Sequence, residues 1–264
     1  MPLTRSEDTL AMAQPAARIW SGHTRFGAGW ACFEGACGDA QPHRHLAAQL
    51  IVGQAGPVRV ASGQGALSGD AVLVRAGALH AVAPTSAARV IYLQAFSPLG
   101  RSWAAFGRGE DLVTPPAELA AQLRSCADLP ATLAELARAC PKPAIDPRLA
   151  QALDSLADMP MRRGDIAVTA ARIGLSEPRL RALAADQLGA PLSHWRLWFM
   201  IERALRALGA GETPAAAAAL AGFSDQAHLS RAMRRFMGVT PRTVARVVSP
   251  PPGASLGRAM RDGP

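Results

Sequence analysis

From about Ala16 to Ala95 the chain alternates short apolar runs with glycines every few residues. Gln49–Val52, Val58–Val60, Ala71–Val74 and Val90–Leu93 are such runs, and short apolar segments cut by Gly-rich turns are the pattern of a small β-sandwich or barrel. After Pro98 the period changes. Residues 117–127 and 131–140 set Leu and Ala at helical spacing, with Pro115, Pro116 and Pro130 at positions that start helices. Three prolines within 141–147 disfavour helix and predict a stiff linker with a domain boundary. Residues 148 to about 247 are helical in character, and the stretch from Ser249 onward has the composition of a frayed polar tail. The pattern predicts an α+β chain of two domains. Residues 1–98 form the β-rich unit, 99–147 connecting or dimerising helices, 148–248 an all-α domain and 249–264 a flexible tail.

One pattern occurs twice in the all-α domain, as Ala170-x-x-x-Gly174-Leu175-Ser176 and Ala218-x-x-x-Gly222-Phe223-Ser224, 48 residues apart. A small Ala lets two helices cross closely, Gly supplies the backbone freedom of a turn, the next apolar residue plugs the core, and Ser caps the following helix. That is the logic of a helix-turn-helix, and each copy is followed by an Arg-bearing helix. After Ser176, Leu180 and Leu183 face inward and leave Arg179 and Arg181 outside. After Ser224, Leu229, Met233 and Phe236 form a buried stripe at i, i+4 and i+7, and Gln226, Ser230 and Arg231 lie opposite. Gln bonds adenine bidentately and Arg bonds guanine O6 and N7, so this face suits major-groove readout. Between the copies, Leu192–Leu208 has no internal breaker and predicts one helix of roughly 25 Å, a rigid spacer for reading helices about one duplex turn apart.

Net charge is +8, of which +6 falls on residues 144–264, in keeping with a phosphate-backbone partner for that half. Four cysteines without a CxxC pair point neither to a disulfide framework nor to a zinc finger. The first twenty residues lack a signal-peptide core and no later run has the roughly 20 apolar residues of a spanning helix, so the expectation is a cytoplasmic protein that makes no use of a membrane.

The run Gly222-Phe223-Ser224-Asp225-Gln226-Ala227-His228-Leu229-Ser230-Arg231, followed by Gly238-Val239-Thr240-Pro241, resembles the signature of AraC-family transcription regulators over residues 148–247. The resemblance implies two helix-turn-helix units bridged by a helix, bound to double-stranded promoter DNA, with an N-terminal cupin-like barrel that senses a small-molecule effector. It implies a regulator and not an enzyme, with RNA polymerase as a partner if the outcome is activation. Carried over by position, base-reading sites fall on Gln226, Ala227, Ser230 and Arg231, and in the first unit on Pro178, Arg179, Arg181 and Ala182; Arg235 joins them as a further DNA contact. The chain departs from the family by placing Ala182 where Arg is usual, and Ala184, Leu229 and Met233 where a core Phe is usual.

His43-Arg44-His45 followed by Gln49, and Gly69 to His80, resemble the two cupin motifs. Residues i and i+2 of a strand share a face, so His43 and His45 point together and His80 approaches from a later strand. The three imidazoles are candidates for a divalent metal such as zinc, iron, manganese or nickel, although Gln49 replaces the Glu usual in metal-binding cupins. The other reading gives His43, His45, Gln49 and His80 to an organic-effector pocket, with no cofactor required. A metal with open positions would instead suit a cupin-type oxygenase or isomerase. Homodimerisation through the barrel or residues 117–140 is a further expectation.

Overall fold

The computed structural model describes residues 20–27, 29–38, 40–106, 109–140, 145–158 and 164–247. The first four residues of the predicted linker and the predicted tail lie outside these.

The β-rich unit runs β1 (Ser21–Gly27), β2 (Trp30–Cys37), β3 (Ala47–Gly53), β4 (Val58–Ser62), β5 (Gly65–Gly69), β6 (Ala71–Val74), β7 (His80–Val82) and β8 (Thr85–Gln94). It is followed by α1 (Pro98–Phe106), β9 (Leu112–Val113), α2 (Ala117–Ser125) and α3 (Leu129–Ala139). The strands make a six-stranded sheet, β1-β2-β8-β3-β6-β9, and a three-stranded sheet, β5-β4-β7, with antiparallel pairing throughout. The expected barrel is therefore open: two sheets face each other, and His43, in the segment between β2 and β3, pairs by its backbone with His80 of β7 at the edge of the smaller sheet.

Strand β3 explains the layering. All seven of its residues are buried, as in a strand covered on both faces. Leu50 and Val52 join a core with α1–α3, including Trp103, Leu123, Leu129 and Leu133. Ile51 points the other way, into the core between the sheets with Val60, Val72 and Val90. The helices read as connectors thus cover the outer face of the large sheet. Arg89 of β8 pins α2 there, donating to Glu34 at 2.6 Å and to the carbonyls of Leu123 and Cys126.

The helical domain contains α4 (Pro147–Asp158), α5 (Asp165–Arg172), α6 (Glu177–Leu188), α7 (Leu192–Gly209), α8 (Pro214–Ala221), α9 (Gln226–Met237) and α10 (Pro241–Val247). Its core is built on Leu149, Leu153, Leu156, Leu180, Trp195, Phe199, Leu229 and Met233. That core does not end at the domain edge: Ala47, and the partly buried Phe26, Tyr92 and Phe96 of the β-rich unit, pack into it.

Candidate nucleic-acid interface, histidine cluster and interdomain cavity

The two repeat copies fold alike. Ala170 and Ala218 are buried, Gly174 and Gly222 take φ of +69° and +85°, and the N–H of the next residue bonds back to the Ala carbonyl in both, Leu175 to Ala170 and Phe223 to Ala218, at 2.9 Å. The caps differ. Ser176 accepts from the Arg179 N–H as predicted, but α9 is capped by Asp225, whose carboxylate accepts from the His228 N–H at 2.6 Å, while Ser224 donates to Asp225. A carboxylate suits this place because it also meets the positive end of the helix dipole; its own pKa is held below the usual range chiefly by that backbone bond.

Leu229, Ala232, Met233 and Phe236 are buried on one face of α9. On the other, Gln226, Ala227, Ser230, Arg231 and Arg234 line one open concavity. In α6, Leu180 and Leu183 are buried while Arg179 and Arg181 are exposed. Arg181 is held by Glu177, one turn back, at 2.5 and 2.9 Å.

His43, His45 and His80 are buried and offer ligand atoms that lie within 4.8 Å of one another. Each Nδ1 sits against a backbone carbonyl, of Gln41, Ala47 and Ala78 respectively, at 2.9–3.0 Å. A carbonyl only accepts, so each Nδ1 carries the proton and each Nε2 a lone pair. The Nε2 of His80 is buried with no hydrogen-bond partner, and that of His45 lies 3.3 Å from Gln49 Oε1, so that two acceptor atoms face each other. Burial holds all three pKa values down, that of His43 to about 4, so the rings are neutral at pH 7. The cluster also abuts the helical domain: Trp198 of α7 lies 5.8 Å from His45 between ring centroids, and Gln41 N–H donates to the carbonyl of Gly238, which caps α9.

Beside the cluster, a cavity of about 90 Å³ lies between β1, β2 and β8 on one side and α7 and α10 on the other. Rings of Trp20, Phe26, Trp30, Phe33, Tyr92 and Trp198 line it, and its charged groups are Glu202 and Arg206 of α7. Glu202 accepts from Trp198 Nε1 at 2.9 Å and from Gln94 Nε2 at 3.1 and 3.3 Å. Burial raises its pKa, against the pull of these bonds and of Arg206. Arg206 is exposed, donates to the Gly27 carbonyl and lies over the Phe26 ring.

Residues 169–246, which include both repeat copies, match the family described as "Helix-turn-helix domain". This is an AraC-type helix-turn-helix domain. None of the curated proteins matches the sequence. Among solved structures, ToxT from Vibrio cholerae has the same two-domain fold, with a TM-score of 0.56 at 10% identity over 84% of this chain and 100% of that one. A ToxT structure with bound unsaturated fatty acid has a TM-score of 0.51 at 10% identity over 84% and 97%. An AraC-type regulator from Chromobacterium violaceum is 25% identical over 40% of this chain and 95% of that one, with a TM-score of 0.36.

Within the AraC-type domain, Gln226, Ala227, Ser230 and Arg231 fall together as the sequence predicts, whereas Arg235 turns to the Phe236 ring. Arg234 shares the concavity and was not singled out, although it stands eight residues from Gln226 and four from Ser230. The histidines and Gln49 come together but do not line the cavity. Glu202 was missed too; its signal is a carboxylate in the apolar stripe Trp195, Trp198, Phe199, Leu205. That stripe packs within the core of the helical domain and also meets Phe96 and His45 of the β-rich unit.

Proposed function

We propose that this DNA-binding transcription regulator reads its promoter chiefly through α9, with Gln226, Ala227 and Ser230 against base edges and Arg231 on guanine. The open concavity on α9 carries this reading, because it presents an amide, a methyl and guanidinium groups on a helix anchored by its opposite face. Arg234 and Arg235 supply phosphate contacts. In α6, Arg179 approaches DNA first, since Arg181 must leave Glu177 to do so. Arg231→Ala is expected to lower promoter affinity by about 1–3 kcal/mol and relax base preference. A gel-shift series with unchanged affinity and selectivity refutes the assignment.

The effector site in this proposal is the interdomain cavity. ToxT has been crystallised with an unsaturated fatty acid; here a ring-lined space lies where a ligand would touch both the sheet and α7. At about 90 Å³ it is below the roughly 300–1,000 Å³ of ligand pockets. A ligand that fits must part the seam, which moves α7 and with it the spacing of the two reading units. Where the outcome is activation, RNA polymerase is the further partner, and pairing of two copies would place two domains on one promoter.

A second reading concerns the histidines. One ring nitrogen from each histidine lies within 4.8 Å of the other two, the Nδ1 protons are fixed by carbonyls, which is the outer-shell arrangement of metal-binding imidazoles, and the buried His80 Nε2 has no hydrogen-bond partner. His43, His45 and His80, with the Gln49 carbonyl oxygen, fit a borderline divalent ion such as zinc or nickel. Bound there, the ion would join the sheets beside the seam. Elemental mass spectrometry of natively purified protein should find near one equivalent, lost in His80→Gln; metal below about 0.1 equivalent leaves the histidines as structural hydrogen-bonding groups.

A further inference from the structure

The interdomain cavity has a charge pattern that narrows the chemistry of its ligand, an argument that rests on the effector reading above. Six of the chain's 13 aromatic side chains line it. Aromatic faces carry negative quadrupole density and attract cations, more strongly when water is excluded. One ring of this wall already takes a cation, since the Arg206 guanidinium lies 5.4 Å from the centre of Phe26.

The second observation is Glu202. Its carboxylate lines the cavity and accepts hydrogen bonds only from neutral donors, the Gln94 amide and the Trp198 indole. Among the described residues no cationic side chain forms a salt bridge with it. Glu202 is half-buried, a carboxylate partly withdrawn from water without a direct ion pair is costly, and a cation in the cavity it lines can supply that pair. Arg206, one turn on along α7, also lines the cavity, but its guanidinium is engaged by the Gly27 carbonyl and the Phe26 ring, so an anionic ligand would have to place its charge beside Glu202 or displace those contacts.

We infer that the cavity takes an apolar ligand bearing one positive charge, a quaternary ammonium or protonated amine, its charge seated against Glu202 and its body among the tryptophans. This differs from the fatty acid that ToxT carries.

The test uses the full chain and three soluble probes that each carry one phenyl ring: benzyltrimethylammonium, benzyl alcohol and 4-phenylbutyrate, with affinities from calorimetry. The cation is expected to bind at least tenfold more tightly than either of the others. Glu202→Gln, which keeps an oxygen for Gln94 and Trp198, should remove that preference and leave benzyl alcohol unchanged. Ala31→Phe, which fills the cavity, should abolish binding of all three, with melting curves checking that both variants fold. If 4-phenylbutyrate or the alcohol binds as tightly as the cation, or if the preference survives Glu202→Gln, the ligand class is wrong while the effector cavity stands. If none of the three binds the parent, both fall.

Discussion

The seat between α9 and the β-rich unit can be tested by adding one methyl group. Gly238 caps α9 with φ +67° and is buried, and a Cβ built on it would lie 2.5 Å from the Gln41 carbonyl oxygen and 2.6 Å from His43 Nδ1. Gly189 caps α6 at φ +65° with nothing within 4 Å of its Cβ position. Both Ala variants pay the left-handed backbone cost of about 1–2 kcal/mol. Gly238→Ala pays more, because one obstacle is backbone and the other a buried ring, and neither yields cheaply. Overpacking of this kind costs about 1–3 kcal/mol, and the Gln41 N–H···O bond to Gly238, worth about 0.5–1.5 kcal/mol, is lost if the seam opens. Urea unfolding should therefore place Gly238→Ala about 1–4 kcal/mol below Gly189→Ala. Equal losses, within about 0.5 kcal/mol of each other, would refute the docked arrangement of α9 against the histidine cluster.

Trp195→Ala should cost about 3–5 kcal/mol, since this fully buried ring packs on Phe96 and Phe199; thermal denaturation reads the loss. For Glu34, desolvation raises the pKa but is outweighed by Arg89, Arg25 and His23, leaving the folded value below the ordinary 4.5. Its stabilisation is therefore complete above about pH 4.5 and lost as pH falls through the lower folded value, so the stability gap between the parent and Glu34→Gln should close in acid and persist at pH 7. Arg181→Ala should weaken promoter binding less than Arg231→Ala and without changing base preference, because Glu177 already holds its guanidinium; a binding-site selection would expose any change.

Much of the fold was legible because local chemistry and tertiary need agree. The repeated Ala-x-x-x-Gly places each turn, and the 3.6-residue stripe of α9 names its own buried face. The cap of α9 was read one residue early because Ser and Asp stand side by side and both cap helices; only the helix start distinguishes them. The open form of the sheets was not readable, since closure depends on strand pairing across the molecule, and β9 has only two residues. The histidine cluster was legible from the His43–His45 spacing, but its fixed tautomers come from carbonyls of Gln41, Ala47 and Ala78 that no side-chain pattern announces. Glu202 and the cavity were hidden for the same reason, as they arise where two domains meet.

The core that runs from Leu153 and Trp195 through Phe96 and Tyr92 into the sheet also bears on how such a protein can be rebuilt. A sensor unit grafted from another regulator would have to bring its own ring to fill the place of Phe96, and its own small residue where Ala47 sits. A graft lacking them would leave Trp195 and Phe199 facing water, and the hybrid's first failure would be aggregation rather than loss of DNA recognition.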